Sequence, residues 1–372
     1  MNKKIILPTL VIFLVTLYCA LTFSLRHDYI IYSWIWSSFL KTAHPYLYSN
    51  GAFNGNAYGI LFTLLAYLYS FHPLLPRALF VSLWFLFGLF LLKIRKTEKP
   101  SLLHFWLLIF GNPFLYILLL LYGNNEIVAA TSICCAVLLL KKKSNRSESL
   151  AGILLAIGFL FKITPIFLVP FLFISRDRLR FRFLLSFLGT TMGVLSLSYR
   201  VFGKELWMPF TYVIERDTTF LSIFYFLKQT VLPSFDLSFI SFPAIIIVLC
   251  LTFFLQMKYR LDGVGISILV LLEILLLSRV NLPQYYTPLC MLMLLFIATK
   301  KTLWQDSFFL HTILAYVYYI SAIPLLYHIF NGFNGEWVIW RNTIALPTFL
   351  FTLAMLFIFL QKMIRIPHLR NS

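Results

Sequence analysis

SLRHDYIIYSWIWSSFLKTAHPYLYSNGAFNGNAY, residues Ser24–Tyr58, is the stretch around which this chain is organised. Apolar segments flank it on both sides, and Asp28 stands at the exit of the first apolar run. After Asp28, apolar residues recur at Ile30, Ile31, Trp34, Ile35 and Phe39, with Ser33, Ser37 and Lys41 between them. That spacing predicts an amphipathic helix lying in a membrane interface. Asp28 is then placed where a transmembrane helix meets an interfacial one, at the mouth of a cavity.

Composition sets the class. The chain has 372 residues, 60% hydrophobic and 12% charged, against roughly 45–50% and about 25% in soluble domains. Its repeated apolar runs predict an all-α, polytopic membrane protein. No polar stretch is long enough to bury a soluble core. A single membrane domain over 1–372 is expected, with outer loops at 26–75 and 203–239. The net charge of +18 does not point to nucleic acid, because Lys and Arg lie in short loops between spans. Cys19, Cys134, Cys135, Cys250 and Cys290 all fall in apolar runs and read as small core residues. Met1–Leu25 carries Lys3 and Lys4 before an apolar run, with no small-residue cleavage site, and is expected to stay as a first helix.

The basic loops give the topology. Lys93–Lys99, Lys141–Arg146, Arg176–Arg182, Lys258–Arg260, Lys300–Lys301 and Lys362–Arg370 are expected on the cytoplasmic side. Each stretch between them must cross an even number of times. Tyr58–Phe71 is then a re-entrant or interfacial helix on the outer side, broken by Pro73 and Pro76. Leu150–Ile174 must go out and come back, reversing near Lys162–Pro165, where proline disfavours helix in the residue before it. The sum is about 12 transmembrane helices, with an outer-face interfacial helix pair after the first. Polar outer segments are Arg26–Asn56, Gly123–Glu126, Gly203–Phe239, Arg279–Gln284 and His328–Arg341. The cytoplasmic loops are too short to hold an active site.

Four places could carry chemistry. Asp28 either caps the following helix or serves as a general base toward a hydroxyl, with His27 beside it. In Gly123-Asn124-Asn125-Glu126, Glu126 opens a helix where the dipole favours a carboxylate; alternatively Asn124 and Glu126 hold sugar hydroxyls. Lys162 lies in a long apolar run, where a cation either snorkels to the interface or binds a lipid phosphate. Finally, Arg279 either anchors the interface at a helix end or makes a phosphate and sugar site with Gln284 and Tyr285, and Glu273 earlier in the same span needs a partner or water. The charges of Gly203–Phe239 read as a solvated face. The sequence holds no DxD pair, HExxH, GxSxG or P-loop, so no metal or cofactor is expected.

These motifs, in this order, resemble the GT-C superfamily of polytopic glycosyltransferases. The resemblance is nearest to polyprenyl-phosphate-mannose-dependent mannosyltransferases of the glycosyltransferase family 87 kind, and extends to the first mannosyltransferase of GPI-anchor synthesis. It rests on Asp28, Tyr29 and Tyr32, on Pro45-Tyr46, and on the Tyr-led run Tyr58-Gly59-Ile60-Leu61. It continues through Gly123-Asn124-Asn125-Glu126, Gly158 with Lys162-Ile163-Thr164-Pro165, and Gln284-Tyr285. Two departures stand out: His44 precedes the Pro-Tyr where relatives have glycine, and Tyr58-Gly-Ile-Leu replaces Tyr-x-x-Pro. The resemblance implies a GT-C-like fold and inverting transfer of a hexose from a polyprenyl-phosphate sugar donor to a lipid or glycan acceptor. It makes Asp28 the base, Lys162 and Arg279 the donor-phosphate ligands, and His27, Tyr32, Asn124, Glu126, Gln284 and Tyr285 substrate contacts. The site would lie on the outer, periplasmic side of a bacterial cytoplasmic membrane. The competing readings are a lipid-linked glycan polymerase or ligase, and a lipid-linked sugar flippase. The first would rely on Arg and His in a late outer loop, and Gly203–Phe239 has Arg216 but no His.

Overall fold

The computed structural model describes residues 3–22, 28–47, 58–95, 102–111, 120, 123–142, 144–174, 178–215, 217–219, 221–231, 237–259, 261–300, 306–330 and 344–365. Among them there are helices and no strand, and five helices are long and apolar enough to cross a membrane. The chain is an all-α polytopic membrane protein. It divides into two compact units, one of residues 1–93, 115–173 and 179–216, the other of 94–114, 174–178 and 217–372.

In the first unit, α1 (Lys3–Thr22) and α3 (Leu75–Ile94) are long apolar helices. Between them lie α2 (Asp28–Thr42) and two short helices, Ile60–Thr63 and Ala66–Phe71. The break within 60–71 falls at Leu64–Leu65, ahead of the prolines, and Pro76 sits in the first turn of α3, where its missing N–H costs nothing. The end of α1 leaves carbonyls without helical partners. Arg77 meets one of them: its Nε donates to Ala20 O at 2.8 Å and its Nη1 to Leu120 O at 2.7 Å. The guanidinium also lies over the Tyr29 ring, 5.4 Å from its centre, and the side chain is wholly buried.

α4 (Glu126–Leu140) and α5 (Asn145–Phe161) form an antiparallel pair. α5 opens inside the basic loop because Ser144 and Ser147 close a reciprocal capping box there. It ends at Lys162, which turns extended (φ −151°, ψ 142°), and a 3-10 turn over Thr164–Leu168 begins the return. That is the reversal predicted at Lys162–Pro165. α6 (Phe181–Phe202) packs on α5, with the Phe159 and Phe187 rings 6.0 Å apart.

Gly59 joins these parts. Its N–H donates to Phe161 O at 3.2 Å, and a Cβ on it would lie 2.0 Å from Leu160 O. Only glycine permits this backbone-on-backbone contact.

In the second unit, α7 (Ser241–Tyr259), α8 (Gly263–Leu277), α9 (Thr287–Thr299), α10 (Ser307–Phe330) and α11 (Ala345–Arg365) run back and forth. Two ion pairs mark one end. Lys300 pairs with Asp262 at 3.0 Å, just after α7, and Lys362 with Asp306 at 2.6 Å. The basic segments around Lys258, Lys300 and Lys362 therefore gather at one end, as the charge pattern predicts. The opposite end is held by hydroxyls and main chain. Thr219 N–H donates to Arg279 O at 3.0 Å, Ser222 Oγ to Ser278 O at 2.8 Å, and Ser241 Oγ to Leu277 O at 2.6 Å.

Two tests follow from this packing. Gly59→Ala should lower stability in detergent by about 1–3 kcal/mol, the usual cost of overpacking. Gly189→Ala, on α6 with open space around it, should be neutral or stabilising by up to about 1 kcal/mol. Equal thermal unfolding of both variants would refute the close contact. In a cysteine-free background, Lys258→Cys and Gln361→Cys should react with an impermeant thiol reagent from one side of the membrane, and Asp217→Cys from the other. Labelling of all three from one side would overturn the arrangement of the second unit.

Candidate active site

The site forms where α4 begins and α5 ends. Because the two helices are antiparallel, Glu126 at the start of one meets Lys162 at the end of the other, and they form an ion pair. The side chains are 1% and 9% exposed, so Lys162 is paired in the interior and does not snorkel. The Lys162 ammonium stands over the Tyr58 ring, 4.9 Å from its centre. Tyr58 in turn donates its hydroxyl to Tyr32 at 3.3 Å, with the rings edge to face.

Tyr32 brings the group to Asp28, one turn earlier on the same face of α2. Asp28 is half-buried at the head of that helix. Burial, the neighbouring Tyr58, and the Asp28 and Glu126 carboxylates together hold the Tyr32 phenol well above its ordinary pKa. Asp28 acts electrostatically on Glu126 as well. Asp28, Tyr32, Glu126 and Lys162 are thus one cluster, drawn from residues far apart in sequence.

The Gly123–Glu126 motif supports this cluster locally. Gly123 has φ +59°, and a Cβ there would lie 2.1 Å from the Tyr29 ring. Left-handed backbone and close approach both require glycine. Tyr29 is fixed at its other end by donating to Pro73 O at 2.8 Å. Asn124 is buried, and its Oδ1 accepts the Glu126 N–H at 3.0 Å, which starts α4. Upstream, His44 precedes Pro45-Tyr46: its Nδ1 accepts the Tyr46 N–H at 3.3 Å, and its ring meets Phe202 edge-on at 5.7 Å. Ala43 takes the positive φ there, 54°.

Arg279, Gln284 and Tyr285 belong to the second unit. Arg279 is half-buried and its N–H donates to Ser241 Oγ at 3.1 Å. Gln284 is buried and Tyr285 half-buried on a 3-10 turn, Pro283–Tyr286. Glu273 has the partner its burial demands, accepting a hydrogen bond from the Thr252 hydroxyl of α7. His27 lies outside the described residues. Two participants were not singled out from sequence. Tyr58 was visible only as the head of an apolar run, and nothing in the sequence marked Arg77.

A half-buried carboxylate behind which stand two phenols and a buried ion pair can take a proton from a hydroxyl. Removing one partner of a buried pair strands the other's charge, at about 3–5 kcal/mol. Lys162→Met and Glu126→Gln should each lose roughly that much stability, and the double variant should recover most of it. Additive losses in a double-mutant cycle of thermal unfolding would show that the two charges do not depend on each other.

A family model described as Glycosyltransferase family 87 matches residues 56–278 of this chain. The match takes in Tyr58, the Gly123–Glu126 motif and Lys162, while Asp28, Arg279, Gln284 and Tyr285 lie outside it. The same comparisons give no match to a curated protein or to a solved structure. With more than half its length matched, and with its apolar helices, the chain belongs to glycosyltransferase family 87 and is a membrane-embedded glycosyltransferase.

Proposed function

We propose that this glycosyltransferase moves a hexose, mannose on the strength of the motif resemblance, from a polyprenyl-phosphate sugar to a lipid-linked or glycan acceptor. The observation that carries the reading is the half-buried Asp28 carboxylate at the head of α2, within electrostatic reach of the Glu126–Lys162 pair. In the step, an acceptor hydroxyl oxygen attacks the anomeric carbon from the face opposite the phosphate. The new C–O bond forms as the bond to the phosphate oxygen breaks, with inversion. Asp28 takes the hydroxyl proton, and the bonding pair leaves on the phosphate. Lys162 is the cation proposed for that phosphate, which would share the ammonium with Glu126. Tyr32, Asn124, Glu126, Gln284, Tyr285 and His27 are proposed to contact substrate.

The topology goes with this reading: about twelve crossings, with α2 and the helices of 60–71 along the outer interface, and the site open to the outer face of the cytoplasmic membrane. It is supported by the second unit, where the basic segments lie at one end and the 217–222 and 278–281 segments at the other.

Asp28→Asn decides between base and cap. Asn is as good an N-cap as Asp, so the variant should fold and express normally while losing at least about a hundredfold in transfer. Asp28→Ala should lose the same activity and also about 1 kcal/mol of helix stability. The assay is transfer of radiolabelled hexose from a polyprenyl-phosphate donor by purified protein. Near-normal transfer by Asp28→Asn would leave the residue as a cap and move the search for a base to Glu126.

A further inference from the structure

Among the described residues, the cluster of the first unit sets two carboxylates, Asp28 and Glu126, against one ammonium, Lys162. The elements packed around Glu126 are otherwise aromatic. α2 brings the Tyr29 and Tyr32 phenols with Asp28, and the 58–63 segment brings Tyr58. Arg77 lies against the Tyr29 ring, bonded to the carbonyls of Ala20 and Leu120. Among side chains, Lys162 alone favours the charge on Glu126, and Asp28 opposes it. Beyond that ammonium, no donor among the described residues reaches Glu126 Oε1.

A phosphodiester brings a further anion to the same ammonium. Lys162 then faces two anions in the interior, with Asp28 close by. Like charges that share a buried site do not all stay ionised, and one of them takes a proton. Exposure decides which. Glu126 is 1% exposed, whereas Asp28 is half-buried and keeps a face toward water. A phosphodiester is too strong an acid to hold the proton itself. Glu126 is also the group that loses its one supporting side chain when the phosphate draws on Lys162, and a buried charge without a partner neutralises.

We infer that binding of a polyprenyl-phosphate sugar is coupled to the uptake of one proton from water by Glu126. The inference rests on the reading of Lys162 as the phosphate cation. In the bound state Lys162 pairs with the phosphate. The Glu126 carboxyl is neutral, and its O–H donates to a phosphate oxygen. Asp28 remains ionised. The two acids therefore divide the work, one neutral beside the phosphate and one charged toward the acceptor hydroxyl.

The test is titration calorimetry of the purified full-length protein in nanodiscs, with a polyprenyl-phosphate hexose and no acceptor. This donor is a phosphodiester whose charge does not change near neutral pH, so it contributes no proton of its own. Wild type, measured in buffers of different ionisation enthalpy, should take up about one proton per donor bound, and its affinity should fall by up to about tenfold per unit of rising pH. Glu126→Gln imitates the neutral acid. It should bind at least as tightly as wild type, without proton uptake and without the pH slope. Asp28→Asn should keep the uptake. Wild-type binding with no proton uptake would overturn the inference, and that measurement needs no variant to fold. Uptake retained by Glu126→Gln, or lost in Asp28→Asn, would overturn it as well. The double variant Lys162→Met with Glu126→Gln checks the reading underneath. Unchanged affinity there would take the phosphate away from Lys162 and the inference with it. Weakened affinity there, with no proton uptake in wild type, would keep the phosphate at Lys162 and remove the coupling alone.

Discussion

A buried ion pair between the ends of two antiparallel helices organises the first unit. Taking a carboxylate and an ammonium out of water costs several kcal/mol each, and their mutual attraction offsets this only in good geometry. Here the backbone contributes. Glu126 is the first residue of α4, where unpaired N–H groups carry partial positive charge, and Lys162 follows the last residue of α5, where carbonyls carry partial negative charge. Each charge faces the helix end that favours it, and the antiparallel pairing sets those ends side by side. A lysine at the same depth but mid-helix would have no such support.

The rest of the cluster follows from holding that pair in place. Gly158 lets α5 approach α4, because a Cβ there would lie 2.9 Å from Ser132 Cβ and 3.2 Å from Pro165 Cγ. Gly59 lets the 58–63 segment lie directly on the end of α5, which puts the Tyr58 ring beneath the ammonium. Tyr58 then reaches Tyr32, and Trp36 fixes the same helix by donating to Phe62 O at 3.0 Å. So the head of α2, and Asp28 with it, is positioned by contacts that trace back to Lys162. No side chain fits at 59, because the Leu160 carbonyl stands where a Cβ would lie.

Much of this was legible in the residues. The apolar runs gave the all-α membrane class, and Lys162-Ile-Thr-Pro165 gave the reversal, because a helix rarely continues into the residue before proline. The same-end clustering of Lys258, Lys300 and Lys362 was readable from charge alone. The Glu126–Lys162 pair was not. Each residue had its own adequate explanation, a helix-start carboxylate and a snorkelling lysine, and nothing local links positions thirty-six apart. The start of α5 was placed late because its capping box uses Ser147 where Glu or Gln is the familiar signal. Nothing in the sequence links Arg77 to the carbonyls of Ala20 and Leu120, which only the fold brings to it.

Polar density alone does not make a site, and the second unit shows why. Its Thr219, Ser222, Ser241 and Asn281 side chains bond mostly to main-chain carbonyls and N–H groups: Thr219 Oγ1 donates to Asn281 O at 2.7 Å, and Asn281 Nδ2 to Leu275 O at 2.8 Å and to the Tyr286 hydroxyl at 3.0 Å. These groups satisfy backbone that lipid cannot hydrate. The first unit differs in kind. Its cluster is ionic, it is assembled from α2, α4 and the end of α5, and one member, Asp28, keeps a face toward solvent. Asp28 stands at a helix head beside a pair whose charges compensate each other, so substitution there leaves no buried charge stranded.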